Sequence, residues 1–209
     1  MFKGKRTAIG GTLVVALFLS LLTLLTPGKA LAAYDCFICL DGIQGESTYK
    51  GGPGSISACP GWIDVVSWSF GETQAATAGR TAGGRAAERV TMQDFKFTKR
   101  VDKASPILFQ DCASGKHIPR AVLVVRRGVS GGPAGTTQQA VEYLKITMTN
   151  VLVSSFLNLG NSGSTQAYPI EEVSLNFGKI EIEYIEIGPD GKPKGSVKGG
   201  WDLSTNKKI

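Results

Sequence analysis

Apolar and polar residues alternate over residues 63–70, "IDVVSWSF", placing Val66, Trp68 and Phe70 on one face and Val65, Ser67 and Ser69 on the other. A period of two marks a β-strand with one face buried, and the second face here is small and rich in hydroxyls. The segment "CFICL" (36–40) reads as a strand, and so does "VTMQDFKFTKRVD" (90–102). In "AVLVVRR" (121–127) both phases are apolar, which predicts a strand covered on both sides. In "AVEYLKITMTNVLVSSF" (140–156) Leu144, Ile146 and Met148 share a phase that slips to Val151 and Val153, predicting a bulge or bend near Asn150. "EEVSLNFGKIEIEYIEI" (171–187) behaves alike: Val173, Leu175 and Phe177 give way to Ile180, Ile182 and Tyr184, with Gly178 at the change and a further shift to Ile185 and Ile187.

Turn chemistry separates these runs. "DGIQGESTYKGGPGS" (41–55) is loop, "GPDGKPKG" (188–195) predicts a tight hairpin around Asp190-Gly191, and a last strand runs through "GGWDLSTNK" (199–207). One segment predicts a short helix: "SPILFQDCASGK" (105–116), with Ser105 at the N-cap, Pro106 at the first helical position and Gly115 at the end. The stretch 71–89, "GETQAATAGRTAGGRAAER", is nearly all small residues plus Arg80, Arg85 and Arg89. It reads as a long extended surface loop, with ordering against a partner as the alternative. Many strands, phase changes and one flanking short α-helix predict a mainly β protein built as a small closed or nearly closed β-barrel.

The N-terminus does not belong to that pattern. Lys3, Lys5 and Arg6 precede an apolar run from Leu13 to Leu25, then Pro27 and Gly28, then Ala30-Leu31-Ala32 with small residues at both ends. Charged, greasy and small in that order is the pattern of a secretory signal peptide. The apolar run is too short for the roughly 20 residues a spanning helix needs. The expected division is a signal over 1–32, cut between Ala32 and Ala33, and a single domain over 33–209, leaving no stable membrane anchor. Removing the signal lowers the net charge from +6 to +2, which argues against a nucleic-acid partner.

Four cysteines, Cys36, Cys39, Cys59 and Cys112, survive the cut. In an exported chain an even count suggests disulfides. Residues three apart on a strand point to opposite faces, so Cys36 and Cys39 are not expected to bond each other. Cys39–Cys59 is the preferred pair, because those residues flank the turn-rich segment 42–61; Cys112 is then free and buried, or paired with Cys36. A zinc site would want a second close pair of cysteines, which is missing.

No active site emerges. Cys112 and the lone His117 in "DCASGKH" are spaced across a helix end, so a structural cysteine and a partly buried histidine are expected. Glu181 and Glu183 share a strand face that reads as solvated. "ASGKH" lacks the first Gly and the Ser/Thr of a phosphate-binding loop. No catalytic residue, metal or cofactor is expected.

Taken together, "DGIQGES", "IDVVSWSFG", "MQDFKFTKRVDKASPILFQDCASGKHIPRAVLVVRR", "VEYLKITMTNVLVSS", "EEVSLNF" and "GGWDLSTNK" resemble the Hcp family, the haemolysin-coregulated proteins that form the inner tube of type VI secretion. The resemblance runs over about residues 35–207. It implies a non-enzymatic homohexameric ring, stacking into a hollow tube that carries small effector proteins in its lumen. It also implies that Arg80, Arg85 and Arg89 lie on the loop that reaches the adjacent ring, and that Ser67 and Ser69 face the lumen. The signal peptide departs from the family pattern and points to an exported, periplasmic or extracellular, ring-former. The alternative is an exported binding module on the same barrel, unconnected with a contractile apparatus.

Overall fold

The computed structural model describes residues 34–52, 59–74, 90–128, 140–160 and 168–209. All of them lie in one compact unit, Ala33–Ile209. In chain order the elements are β1 (Asp35–Leu40), β2 (Ile63–Ser69), β3 (Glu72–Thr73), β4 (Thr91–Met92), β5 (Phe95–Arg100), α1 (Ser105–Ser114), β6 (His117–Gly128), β7 (Ala140–Leu159), β8 (Ile170–Ile187), β9 (Pro193–Asp202) and β10 (Lys207–Lys208). Six strands, β8-β5-β2-β1-β6-β7, close on themselves because β7 also pairs with β8, and every pairing is antiparallel. β8 is long enough to serve two neighbours on its other edge. Residues 170–175 pair with β5, while 179–187 pair with β9, which carries the sheet out beyond the barrel.

The barrel interior is filled by Ile38, Phe95, Phe97, Leu123, Ile146, Met148 and Leu175, each at most 1% exposed. Burying a side chain of this size contributes about 1.5–3 kcal/mol. β6 is apolar on both faces, as its sequence predicts. Ala121, Leu123 and Val125 enter the interior, whereas Val122 and Val124 join a second buried cluster with Cys39, Tyr49 and Trp62.

The phase changes on β7 and β8 are one event. Ile118–Val151–Phe177 form a buried row across β6, β7 and β8, and Ala121–Met148–Ile180 form the next buried row. Two residues separate the rows on each strand, and no register shift intervenes. The three strands therefore bend together, and Asn150 takes a left-handed backbone, φ 54°, at the crease. The feature is a bend rather than a bulge. Bulges on β7 lie elsewhere, at Tyr143 opposite Val125 and Arg126, and between Val153 and Ser155.

Four expectations need correction. The register of β2 on β5 shifts between Val65 and Ser67, so Val66 is the extra residue of a bulge and is 53% exposed, while Val65 packs on the core beside Trp68 and Phe70. The segment 90–102 is not one strand, since Gln93 and Asp94 interrupt it and Asp94 accepts hydrogen bonds from Ser154 and Asn176. Ser105 is the first residue of α1 rather than its cap, and Ala104 holds the cap position; Gly115, φ 66°, closes the helix as expected. The last strand ends at Asp202, whose carboxylate accepts from the backbone N–H groups of Ser204 and Thr205 and turns the chain back into β10.

Candidate functional site

The outward face of β2, β5, β8 and β7 is a polar wall. Residues alternating with the core residues Phe95, Phe97, Val173 and Leu175 line up across strands: Ser67–Thr98–Glu172–Leu157 and Ser69–Lys96–Ser174–Ser155. Ser67 and Thr98 share a hydrogen bond of 2.7 Å between their hydroxyls, and Lys96 reaches Glu172 at 3.8 Å. Both predicted hydroxyl positions, Ser67 and Ser69, are thus exposed neighbours on a wall that mixes hydroxyls with the Lys96–Glu172 pair and Leu157.

A second surface lies where β9 extends the sheet. On the inner face of the β8–β9 ladder Ile180, Ile182, Tyr184, Val197 and Trp201 line a groove of about 660 Å³, closed opposite by Phe70 and Met92. Tyr184 is 48% and Val197 73% exposed. The glycine at 199 leaves its floor open, with nothing within 4 Å of where a Cβ would stand. The indole Nε1–H of Trp201 is buried without a partner among the described residues.

The opposite face of the same ladder is ionic. Glu183 lies between Lys145, 3.2 Å, and Lys198, 3.4 Å, and Lys198 also reaches Glu181 at 3.7 Å. Burial pushes the Glu183 carboxyl up, but hydrogen bonds from Ser196, Lys145 and Lys198 and the charge of Lys145 outweigh it and hold its pKa below the ordinary range. Glu183 is therefore buried within an ion-pair lattice, not on a solvated face. Asp202, hydrogen-bonded by Ser204 and paired with Lys179 at 2.9 Å, is held well below the usual carboxylate range.

Cys39 and Cys59 form a disulfide; Cys36 and Cys112 are free thiols, so the alternative Cys36–Cys112 bond is not formed. Burial pushes the Cys36 thiol up to about 12 against a hydrogen bond with Trp68, which keeps it protonated and unreactive. Cys112 is half-buried on α1. His117 is exposed rather than partly buried, and its Nδ1 lies 2.9 Å from the Asn150 side-chain oxygen. Among the described residues no group of three His, Cys, Asp or Glu side chains could hold a metal ion, and no helix is long and apolar enough to cross a membrane. Ala32, Ala33, Arg80, Arg85 and Arg89 lie outside the described residues; of the stretch 71–89, Glu72 and Thr73 form β3, opposite Met92 and Thr91 of β4.

One polar cluster escaped sequence reasoning. Lys99 and Glu171 are both fully buried and paired at 2.9 Å, with Lys99 also donating to Ser105 and pairing with Asp102 at 2.8 Å. The Ser105 hydroxyl donates to Glu171 at 2.7 Å, which pins the start of α1 to β5 and β8. The signal was present: Lys99 is in phase with Phe95 and Phe97, and Glu171 with Val173 and Leu175.

Among the described residues the fold is a closed six-stranded β-barrel with one short helix, a polar outer wall and an apolar groove beside β9. The comparisons with known proteins agree. The family profile described as "Type VI secretion system effector, Hcp" matches residues 37–184. The chain is 38% identical over 175 residues to Protein hcp1 of Pseudomonas aeruginosa, covering 83% of this chain and 98% of that one. Among solved structures, Hcp1 from Salmonella typhimurium superposes with a TM-score of 0.63 at 33% identity, covering 85% of this chain and 100% of that one. A type VI secretion system effector from Yersinia pestis gives 0.55 at 26% identity, covering 80% and 99%. This chain belongs to the Hcp family of type VI secretion tube proteins, a non-enzymatic structural family.

Proposed function

We propose that the chain is an exported ring-former: residues 1–32 direct it across the inner membrane and are removed, and the domain 33–209 assembles into homohexameric rings that stack and carry small effector proteins. The observation that supports ring formation most strongly is the groove. Tyr184 leaves nearly half and Val197 almost three-quarters of its surface in water on a lone protomer, beside a buried indole N–H without a partner among the described residues. Contiguous exposed apolar surface of this kind is usually covered in the working assembly. A contact between two different patches of one protein closes into a ring when its rotation divides the circle. The polar wall around Ser67 and Ser69 is then the surface offered to the lumen, where short hydroxyls give cargo a wet, adaptable lining. Arg80, Arg85 and Arg89, which lie between β3 and β4 in the sequence, serve ring-on-ring contact.

The test is a charge placed in the groove. Val197→Asp should abolish rings while leaving the far-ultraviolet circular dichroism of the barrel intact, since Val197 is not core. Rings formed by this variant at the wild-type concentration would remove the groove from the interface. A second reading, a binding module, draws on the same groove, whose volume falls in the range of small-molecule sites. It predicts a monomer that takes up an apolar fluorophore, and loss of that uptake in Val197→Asp.

A further inference from the structure

The outer face of the β1–β6 wall is apolar where most barrel walls meet water. Phe37 and Cys39 alternate with the interior residues Ile38 and Leu40, and lie opposite Val124 and Val122. The described residues between β1 and β2, 41–52 and 59–62, cross this face as a strap. Its two described limbs are stitched together by Gly45 N–H to Gly61 carbonyl, 3.2 Å, and Ser47 N–H to Trp62 carbonyl, 3.0 Å. Gly45 admits no side chain there, because a Cβ would stand 2.1 Å from the Trp62 carbonyl oxygen. Tyr49 stacks on Phe37 at 4.3 Å, donates its hydroxyl hydrogen to Glu142, and lies 4.9 Å under the Arg126 guanidinium. Trp62 is 3% exposed and Tyr49 9%, so the strap closes a second small core. The bond joining strap to wall is Cys39–Cys59.

We propose that Cys39–Cys59 is a site of oxidative modification by a dithiol–disulfide oxidoreductase, and that this bond commits the strap to the wall and makes the protein competent to assemble; the assembly clause rests on the ring-forming reading above. Two thiols lose two protons and two electrons, and the oxidoreductase disulfide that accepts them leaves as a dithiol. Burial sets the order of events. Cys39 is 1% exposed once covered, whereas Cys59 stays half-buried on the strap. Cys59 attacks the enzyme disulfide to form the mixed disulfide, and the Cys39 thiolate then displaces the enzyme thiolate as the strap comes down. Bridging residues 20 apart favours the closed strap by on the order of a hundredfold through loop-closure entropy. In the reduced chain the strap opens and bares Phe37, Trp62, Val122 and Val124, an apolar wall that disfavours orderly ring assembly. Assembly is thereby confined to an oxidising compartment.

Lys50, exposed on the strap, supplies the readout. Protein produced from the full chain is treated with dithiothreitol without denaturant, reduction is verified by two additional titratable thiols, and trypsin cleavage after Lys50 is timed. The expected result is a tenfold or greater rise in cleavage at Lys50 with unchanged circular dichroism, and loss of rings that return on reoxidation. Cys39→Ser/Cys59→Ser should behave as the reduced protein does without reductant; should it fail to fold, the dithiothreitol experiment on the unaltered chain decides alone. Equal Lys50 cleavage before and after reduction, or rings that form equally well from reduced protein, would overturn the proposal. A chain that forms no rings in either state contradicts the ring reading instead, and the Lys50 rate still decides whether the bond holds the strap.

Discussion

Asn150 and Gly178 face each other across β7 and β8, and the backbone of one requires the bareness of the other. Asn150 is left-handed at φ 54°, and a Cβ at Gly178 would stand 3.3 Å from both its Cβ and its Nδ2. This pair lies in the crease at which β6, β7 and β8 all exchange buried faces. Gly178→Val should therefore cost about 1–3 kcal/mol as an overpacked site. Asn150→Val should cost at least the roughly 1–2 kcal/mol of forcing a β-branched residue into left-handed space, while Asn150→Gly should be close to neutral. Urea unfolding midpoints check all three, and equal stability of Asn150→Val and Asn150→Gly would remove the backbone argument.

Lys99 and Glu171 form a fully buried charge pair. Removing one partner strands the other, so Lys99→Met should destabilise by about 3–5 kcal/mol. Lys99→Met/Glu171→Leu should recover much of that loss, because an apolar pair of similar volume avoids burying charge at all. A double-mutant cycle by denaturant unfolding measures it. Additive losses would show that the two charges do not act as a unit.

The β8–β9 ladder carries an acid sensitivity with a definite sign. Glu183 and Asp202 are both held below the ordinary carboxylate range in the folded chain. Such groups bind protons more readily when unfolded, so their stabilisation is fully present above the unfolded values near 4 and is lost as pH falls through the folded ones. Stability should be flat in this respect from pH 7 to about 5 and decline below about 4. Lys145→Met should reduce the Glu183 share of that decline. A pH series of unfolding midpoints tests this, and the same acid slope in Lys145→Met would exclude the Lys145–Glu183 pair as its source.

The role proposed for Arg80, Arg85 and Arg89 separates two levels of assembly. Arg80→Ser/Arg85→Ser/Arg89→Ser should weaken stacking of rings and leave single rings intact. Electron micrographs of the variant should show short stacks or isolated rings where the parent shows tubes; unaltered tubes would deny the arginines that role.

Processing of the N-terminus is directly measurable. Protein recovered outside the cytoplasm should begin at Ala33, as read by intact mass. An intact N-terminus on exported material would contradict a cleaved signal.

The sequence was most legible where one residue type had a single physical use. Gly115 ends α1, the double-faced apolar run of β6 required cover on both sides, and Cys39 with Cys59 flanked a turn-rich segment able to fold back, which made theirs the preferred of three possible pairings. What covers the outer face of β6 is the chain's own strap, and nothing in "AVLVVRR" distinguishes that from a neighbouring subunit. The bulge at Val66 was hidden because alternation continues smoothly through it, and only the partner strand reveals the extra residue. Lys99 and Glu171 were passed over because a charged residue in a core phase is ordinarily a strand end, not a pair. Of the two surfaces, the hydroxyl-rich face was legible because Ser67 and Ser69 stood out by their size, but the groove depends on β9 leaving the barrel, a matter of pairing that periodicity does not encode.

Edge-to-edge closure of identical protomers is the claim on which the functional account stands, and the mass of the particle in solution tests it most directly. Light scattering coupled to size-exclusion chromatography on oxidised protein at micromolar concentration should give a species near six times the protomer mass. A single species at the protomer mass across concentration and salt would contradict it.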